Sequence, residues 1–342
     1  MVPPCTRERG PGFARSPAER ENGPETPRAA GRTWGMISRS TLIGALVVVE
    51  LVIVGAAARA IAGDGPASPV AATWNLPGDN VVSAPFFART FVTGTEPHVV
   101  IDIHDVPLMV EAANVPSVQI SETRRSTGWV SGESSTVSAQ QTADGVRVST
   151  SGEDIRHAVI GSYWREIRVV VPAAARIEVA SAAQTTTKGL RGKLVARIPD
   201  GRIYITDQRG DVDVSTGSGR ITMTDVEAND IAAHTSDGRI YLTHVGAERI
   251  DASSGSGRIV GIDVRAVNGA FRTADGRIQV SFTGNSDATV NAHTDDDNVD
   301  VSGLDKTSGD DSNATVQLGS GRGHFELRTA SGPIILSHGA NV

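Results

Sequence analysis

Five copies of Gly-Arg-Ile recur at near-constant spacing: Gly201-Arg202-Ile203, Gly219-Arg220-Ile221, Gly238-Arg239-Ile240, Gly257-Arg258-Ile259 and Gly276-Arg277-Ile278. The steps are 18, 19, 19 and 19 residues. A fixed period this short predicts small units stacked on one another, not one ordinary globular core. Such a stack presents long repeated faces to solvent, which suits binding or scaffolding better than catalysis.

Within each unit the side chains alternate. Ile203 and Ile205 point inward while Arg202 and Tyr204 point outward. The equivalent inward pairs are Ile221/Met223, Ile240/Leu242 and Ile278/Val280. A second apolar pair follows in each unit: Val212/Val214, Ile231/Ala233 and Ile250/Ala252. The next by strict spacing is Gly269/Phe271, where one position shrinks and its neighbour grows, as a core of constant volume requires. An antiparallel meander would put successive copies at opposite ends of neighbouring strands. Here every copy opens its strand in the same phase, so residue i stacks on the residue one period later. The expected fold class is all-β: a parallel β-solenoid of about 19 residues per coil, with two short strands each. One N-terminal transmembrane or signal helix is expected to precede it.

Charge and cysteine content narrow the function. The formal charge is −7 over 342 residues. Residues 1–39 carry +3 and residues 40–63 carry 0, which leaves −10 on residues 64–342. A net-acidic body argues against general nucleic-acid binding. Cys5 is the only cysteine, so the body has neither a disulfide framework nor a cysteine metal site.

Four segments follow from composition. Residues 1–36 are rich in Pro, Gly, Arg and Glu and read as a disordered basic N-terminus, with Met36 an alternative start. Residues 37–63 hold the apolar run Thr41–Ala58, 18 residues interrupted by Glu50, close to what spans a bilayer. This reads as a signal anchor with the Arg-bearing end inside. The competing reading is cleavage after Ala62, in the small-x-small pattern Ala60-Ile61-Ala62. Residues 64–94, with Pro66, Pro69, Pro77 and Pro85, read as a linker. Residues 95–342 form the repeat domain. Its first part alternates as short strands, with Val99, Ile101 and Ile103 on one face and His98, Asp102 and His104 on the other. After residue 284 the period loosens, as terminal repeats do when they cap an open sheet end.

The run Arg165-Glu-Ile-Arg-Val-Val-Val-Pro172, then Ala175-Arg-Ile-Glu-Val179, then serial strands beginning Gly-Arg-Ile or Gly-Asp-Val, resembles the bacterial "putative adhesin" β-strand-repeat family, also described as a toastrack-like domain of unknown function. The resemblance covers roughly 95–340 and rests on pattern. It implies an extracytoplasmic, often membrane-tethered β-solenoid, and it transfers no catalytic residue. The chain departs from the family pattern at Ala180–Lys188, where Ala182-Ala-Gln-Thr-Thr-Thr stands in place of a Gly-containing turn.

The outward positions supply the candidate site. Arg202, Arg220, Arg239, Arg258 and Arg277 form a ladder, with Tyr204 and Tyr241 beside it as stacking surfaces. Asp200, Ser218, Asp237, Ser256 and Asp275 alternate two residues before each Arg. The plain reading is a solvated edge whose repulsion those aspartates relieve. The sharper reading is a groove for an anionic polymer or lipid headgroups. His98, Asp102 and His104 on one strand are too spread for a metal without a third element. The acidic set Asp295, Asp296, Asp297, Asp300, Asp305, Asp310 and Asp311 fails the EF-hand pattern. Arg209-Gly210-Asp211 reads as a repeat turn. The expectation is thus a non-catalytic, membrane-anchored extracytoplasmic protein with no cofactor and no metal. It would meet the membrane through 37–63 and an envelope polymer, lipid or protein through the ladder. A structural or self-assembling scaffold is the alternative, and a polysaccharide-active enzyme the more distant one.

Overall fold

The computed structural model describes residues 86–152, 157–180 and 183–339. The segments 1–36 and 37–63 lie outside the described residues, so the expected N-terminal helix does too. No helix among the described residues is long and apolar enough to cross a membrane. The described chain is all strand and turn. Its strands are β1 (Phe87–Val92), β2 (His98–Asp102), β3 (Leu108–Ala113), β4 (Ser117–Ser131), β5 (Thr136–Gln141), β6 (Gly145–Ser151), β7 (His157–Pro172), β8 (Arg176–Ala180), β9 (Gln184–Lys188), β10 (Leu194–Ile198) and β11 (Arg202–Gln208). There follow β12 (Val212–Thr216), β13 (Arg220–Thr235), β14 (Arg239–Ser254), β15 (Ile259–Asp275), β16 (Ile278–Phe282), β17 (Ala288–Thr294), β18 (Val299–Ser302), β19 (Lys306–Ser308), β20 (Asn313–Leu318), β21 (Gly323–Ser331) and β22 (Ile334–His338). Strand structure begins within the stretch 64–94 read as linker, because Phe87 and Phe91 pack against the core.

All strands belong to one sheet that folds back on itself and nearly closes around an apolar interior. Ile203 pairs with Ile221, Ile221 with Ile240, Ile240 with Ile259 and Ile259 with Ile278, all parallel. The other arm stacks Val212 on Ile231 and Ile231 on Ile250. Every inward isoleucine of the Gly-Arg-Ile series is buried, as are Val214, Met223, Ala233, Leu242, Ala252 and Val280. Each such isoleucine contributes at most about 2 kcal/mol by area. The expected swap at Gly269/Phe271 also holds: Phe271 is fully buried. A Cβ on Gly261 would lie 3.3 Å from its ring, so the missing side chain there makes room for it.

Three features depart from the simplest stack. First, the coils do not all consist of two short strands. β13, β14 and β15 run 16, 16 and 17 residues through one corner without a break. Val226, Val245 and Val264 stay paired and buried there, so the ladder of backbone hydrogen bonds continues around the bend. The bend itself is made by one left-handed residue per coil: Asp207, Asp225, His244 and Asp263 have φ of 52, 56, 51 and 54°. Asp and His are among the residues that tolerate this region.

Second, stacking does not follow chain order at either end. β2 sits between β6 and β8, and β3 between β7 and β9. β21 sits between β15 and β17, and β22 between β16 and β18. The first and last coils of the body are thus both inserted one level in from the end.

Third, antiparallel pairs finish the stack. β5 joins β6, β1 joins β4, and β4 joins β7 at one end; β20 joins β17 and β19 at the other. At β9 the inward positions hold Thr185 and Thr187, both buried, where neighbouring coils carry aliphatic side chains. Their hydroxyls find no hydrogen-bond partner.

Candidate binding face

The corner before each Gly-Arg-Ile is built from two recurring elements. A hydroxyl three residues ahead of the glycine donates to a glycine carbonyl of the previous coil: Thr216 to Gly201 at 3.1 Å, Ser254 to Gly238 at 3.0 Å and Thr273 to Gly257 at 3.0 Å. The glycine itself is demanded by coil-to-coil approach. A Cβ on Gly219, Gly238 or Gly257 would lie 1.5, 1.7 or 1.5 Å from the carbonyl oxygen of the glycine one coil below. The following arginine therefore starts its strand at the same height in every coil.

This places the five predicted arginines in a single file. Arg220 pairs directly with Arg239. The amides of Ile240 and Ile259 donate to the carbonyls of Arg258 and Arg277, each at 3.0 Å, and hold the later rungs in register. Successive stems stand about 4.8 Å apart. All five side chains are exposed. Among the described residues, Arg202, Arg239, Arg258 and Arg277 have no side-chain hydrogen bond or ion pair, while Arg220 lies over the Tyr241 ring at 5.4 Å. The adjacent aspartates do not supply partners. Ser218 donates to Asp200 at 2.9 Å and Ser256 to Asp237 at 3.0 Å. Two of the three turn-row aspartates thus bond to hydroxyls, and among the described residues none of the three makes an ion pair with the arginine row.

Tyr204 and Tyr241 lie on the same outer face, two residues further along their strands. The register runs Tyr204, Thr222, Tyr241, Val260, Gln279, so the two rings are two coils apart with a threonine between them. All seven predicted residues therefore share one face.

A second feature flanks the same turns and was not anticipated from sequence. An open groove of about 480 Å³ is lined by Arg197, Pro199, Ser215, Gly217, His234 and Ser236, among others. Arg197 is held by Asp213 at 2.9 Å, and His234 Nδ1 shares a hydrogen bond of 2.7 Å with Ser253 Oγ. Reading the second outward row at its period (Arg197, Ser215, His234, Ser253, Arg272) was the signal that could have found it.

The other sequence candidates do not converge. His98 contacts Asp144 at 3.2 Å and Glu178 at 3.6 Å, whereas His104 contacts Asp102 at 3.6 Å. The hydrogen bond from His98 is the main cause of a lowered Asp144 pKa. No three His, Cys, Asp or Glu side chains among the described residues come together as metal ligands would. In the acidic loops, Asp310 accepts from Asn313 and Ser312, which lowers its pKa. Asp211 of Arg-Gly-Asp accepts the amides of Asn229 and Asp230, which ties it into the turn. A buried cluster also escaped the sequence reading: Glu122 receives Arg124 and, at 2.7 Å, Arg165, while Arg165 reaches Ser135 Oγ at 2.6 Å. It fastens β4 and β7 to the Ser134–Ser135 segment.

Residues 117–268 match the protein family described as Toastrack DUF4097. No curated protein matches the chain. Among solved structures, a "putative adhesin" from Parabacteroides merdae ATCC 43184 is 10% identical, covers 74% of this chain and 94% of its own, and gives a TM-score of 0.37. A "putative adhesin" from Bacteroides fragilis NCTC 9343 is 13% identical, over 73% and 96%, with a TM-score of 0.33. A "putative lipid binding protein" from Parabacteroides distasonis ATCC 8503 is 11% identical, over 74% and 94%, with a TM-score of 0.33.

Proposed function

We propose that this chain, which carries a Toastrack DUF4097 domain over residues 117–268, is a non-catalytic interaction module of the cell envelope. In this reading residues 37–63 anchor it in a membrane and the body faces outward as a parallel β-solenoid of about 19 residues per coil. The arginine row Arg202, Arg220, Arg239, Arg258 and Arg277, with Tyr204 and Tyr241, is the face that takes an anionic envelope polymer.

One observation carries the reading. In a body of net charge −10, five like charges stand in single file at about one strand spacing, and four of them have no side-chain hydrogen bond or ion pair among the described residues. Stacked like charges cost free energy. Asp200 and Asp237 accept from serines and, among the described residues, make no ion pair with the row. An incoming polyanion would relieve the repulsion and gain charge-assisted hydrogen bonds.

Co-sedimentation of the full-length chain with cell-wall material and with anionic liposomes tests this, beside a variant with Arg202, Arg239 and Arg277 all changed to Ser. Salt-sensitive binding that vanishes in the variant supports the reading. Absence of binding in both refutes it and turns the bet to a scaffold. One observation favours that second reading: β1 and β5 at one end, and β18 and β19 at the other, each leave one edge without a neighbouring strand among the described residues.

A further inference from the structure

Resting on the reading of the row as an anion-binding face, we infer that its ligand is a linear polyuronate, a glycan with one carboxylate on every sugar, lying along the coil axis. The first argument is the charge repeat. In-register stacking sets one guanidinium per coil, at about 4.8 Å, so the row spans about 19 Å. A pyranose linked through opposite ends of its ring advances by about the same length as one strand spacing. In such a chain neighbouring sugars are turned over, so every second carboxylate faces the row and falls in step with every second arginine. A poly(glycerol phosphate) chain offers the neighbouring Tyr204 and Tyr241 no ring to stack on. A bilayer offers its headgroups as a two-dimensional array, which a single file engages poorly.

The second argument is the second row. Tyr204 and Tyr241 stand two coils apart, with Thr222 between them. In a sugar chain whose neighbouring residues are turned over relative to each other, every second ring presents the same face. The two tyrosines are spaced to stack on alternate sugars, and the threonine hydroxyl meets the one between. Arg220 lies over the Tyr241 ring, which fixes the ring's orientation. The third argument is polarity. The serine-bonded Asp200 and Asp237 border the row and repel any second anionic strand from that side, so the face takes one chain.

The test titrates the full-length chain with oligogalacturonates of increasing length, with their methyl esters, with polyphosphate, with poly(glycerol phosphate) and with phosphatidylglycerol vesicles. Affinity for the oligogalacturonates should rise by about two- to fivefold for each further carboxylate that meets an arginine and level off once the chain covers the row. The methyl esters should not bind. Tyr204→Ala with Tyr241→Ala should weaken the uronate and leave polyphosphate binding unchanged. Equal or tighter binding of polyphosphate, poly(glycerol phosphate) or vesicles, lost in the Arg-to-Ser variant, overturns the polyuronate assignment and leaves the anion face standing. Failure of every polyanion to bind overturns both. The substituted arginines are exposed and the tyrosines half-buried, so each variant is first checked for an unchanged far-ultraviolet circular dichroism spectrum.

Discussion

Replacing Phe325 by Ala will show whether the last coil is truly inserted within the stack. Phe325 lies on β21, between β15 and β17, and its side chain is fully buried. It meets Phe271 edge-on at 5.1 Å between centroids and Phe282 at 5.5 Å. These rings belong to three separate strands, so one side chain joins the inserted coil to the coil before it. Truncating a buried Phe costs about 3–5 kcal/mol. Each edge-to-face pair adds about 0.5–1.5 kcal/mol, and the contributions overlap because all three rings share one site. A loss of about 5 kcal/mol is expected, comparable with the whole net stability of many domains. Urea unfolding read by circular dichroism measures the loss. Amide hydrogen exchange then locates it: protection should fall on β15 and on β17 together. The milder Phe325→Leu should cost about 1–2 kcal/mol. A loss under about 2 kcal/mol for the Ala variant, or exchange that rises in β17 but not in β15, would refute the insertion, since a merely appended end coil would leave β15 unaffected.

Three further outcomes follow from the same packing. Thr185→Val with Thr187→Val removes two buried, unpartnered hydroxyls at nearly constant volume and should stabilise the body by about 1–3 kcal/mol in urea unfolding. Gly238→Ala puts a Cβ 1.7 Å from the Gly219 carbonyl oxygen and should lower the stability in urea unfolding by at least about 2 kcal/mol, with exchange rising on both neighbouring coils. Asp287 accepts from Ser320 and from the Arg322 backbone and side chain, and the Arg322 side chain is the main cause of a pKa lowered to about 2. Its folded pKa lies below its unfolded value, so the stability it gives is present above about pH 4 and is lost as pH falls toward about 2. Asp287→Asn should flatten the acid limb of a stability–pH curve in that window and leave the neutral region sloped as before.

The repeat was legible because its cause is local. Ile203, Ile221, Ile240, Ile259 and Ile278 each need the same buried slot, and a parallel stack copies that slot once per coil. The outward arginines follow from the same alternation. What could not be read was set by contacts distant in sequence. Val99 and Ile101 alternate as any strand would, and nothing in that alternation says that β2 enters between β6 and β8. The same holds for Phe325, whose slot is completed by residues far upstream. The glycines of Gly-Arg-Ile were visible as part of the repeat, but what demands them is the carbonyl of the coil below. The left-handed corner at Asp207, Asp225, His244 and Asp263 was missed because the strand pattern runs straight through it. The free state of the arginines depended on which partner the aspartates chose, and the Ser218–Asp200 and Ser256–Asp237 bonds decide that only in three dimensions.

The most direct test of the central claim is the salt dependence of polyanion binding to the full-length chain as ladder arginines are changed to Ser one at a time. If the row is the recognition face, log K should fall linearly with log salt, and each replacement should reduce the slope by about one and weaken binding at every salt concentration. A slope that stays the same through all five replacements would place any binding elsewhere on the molecule and contradict the account.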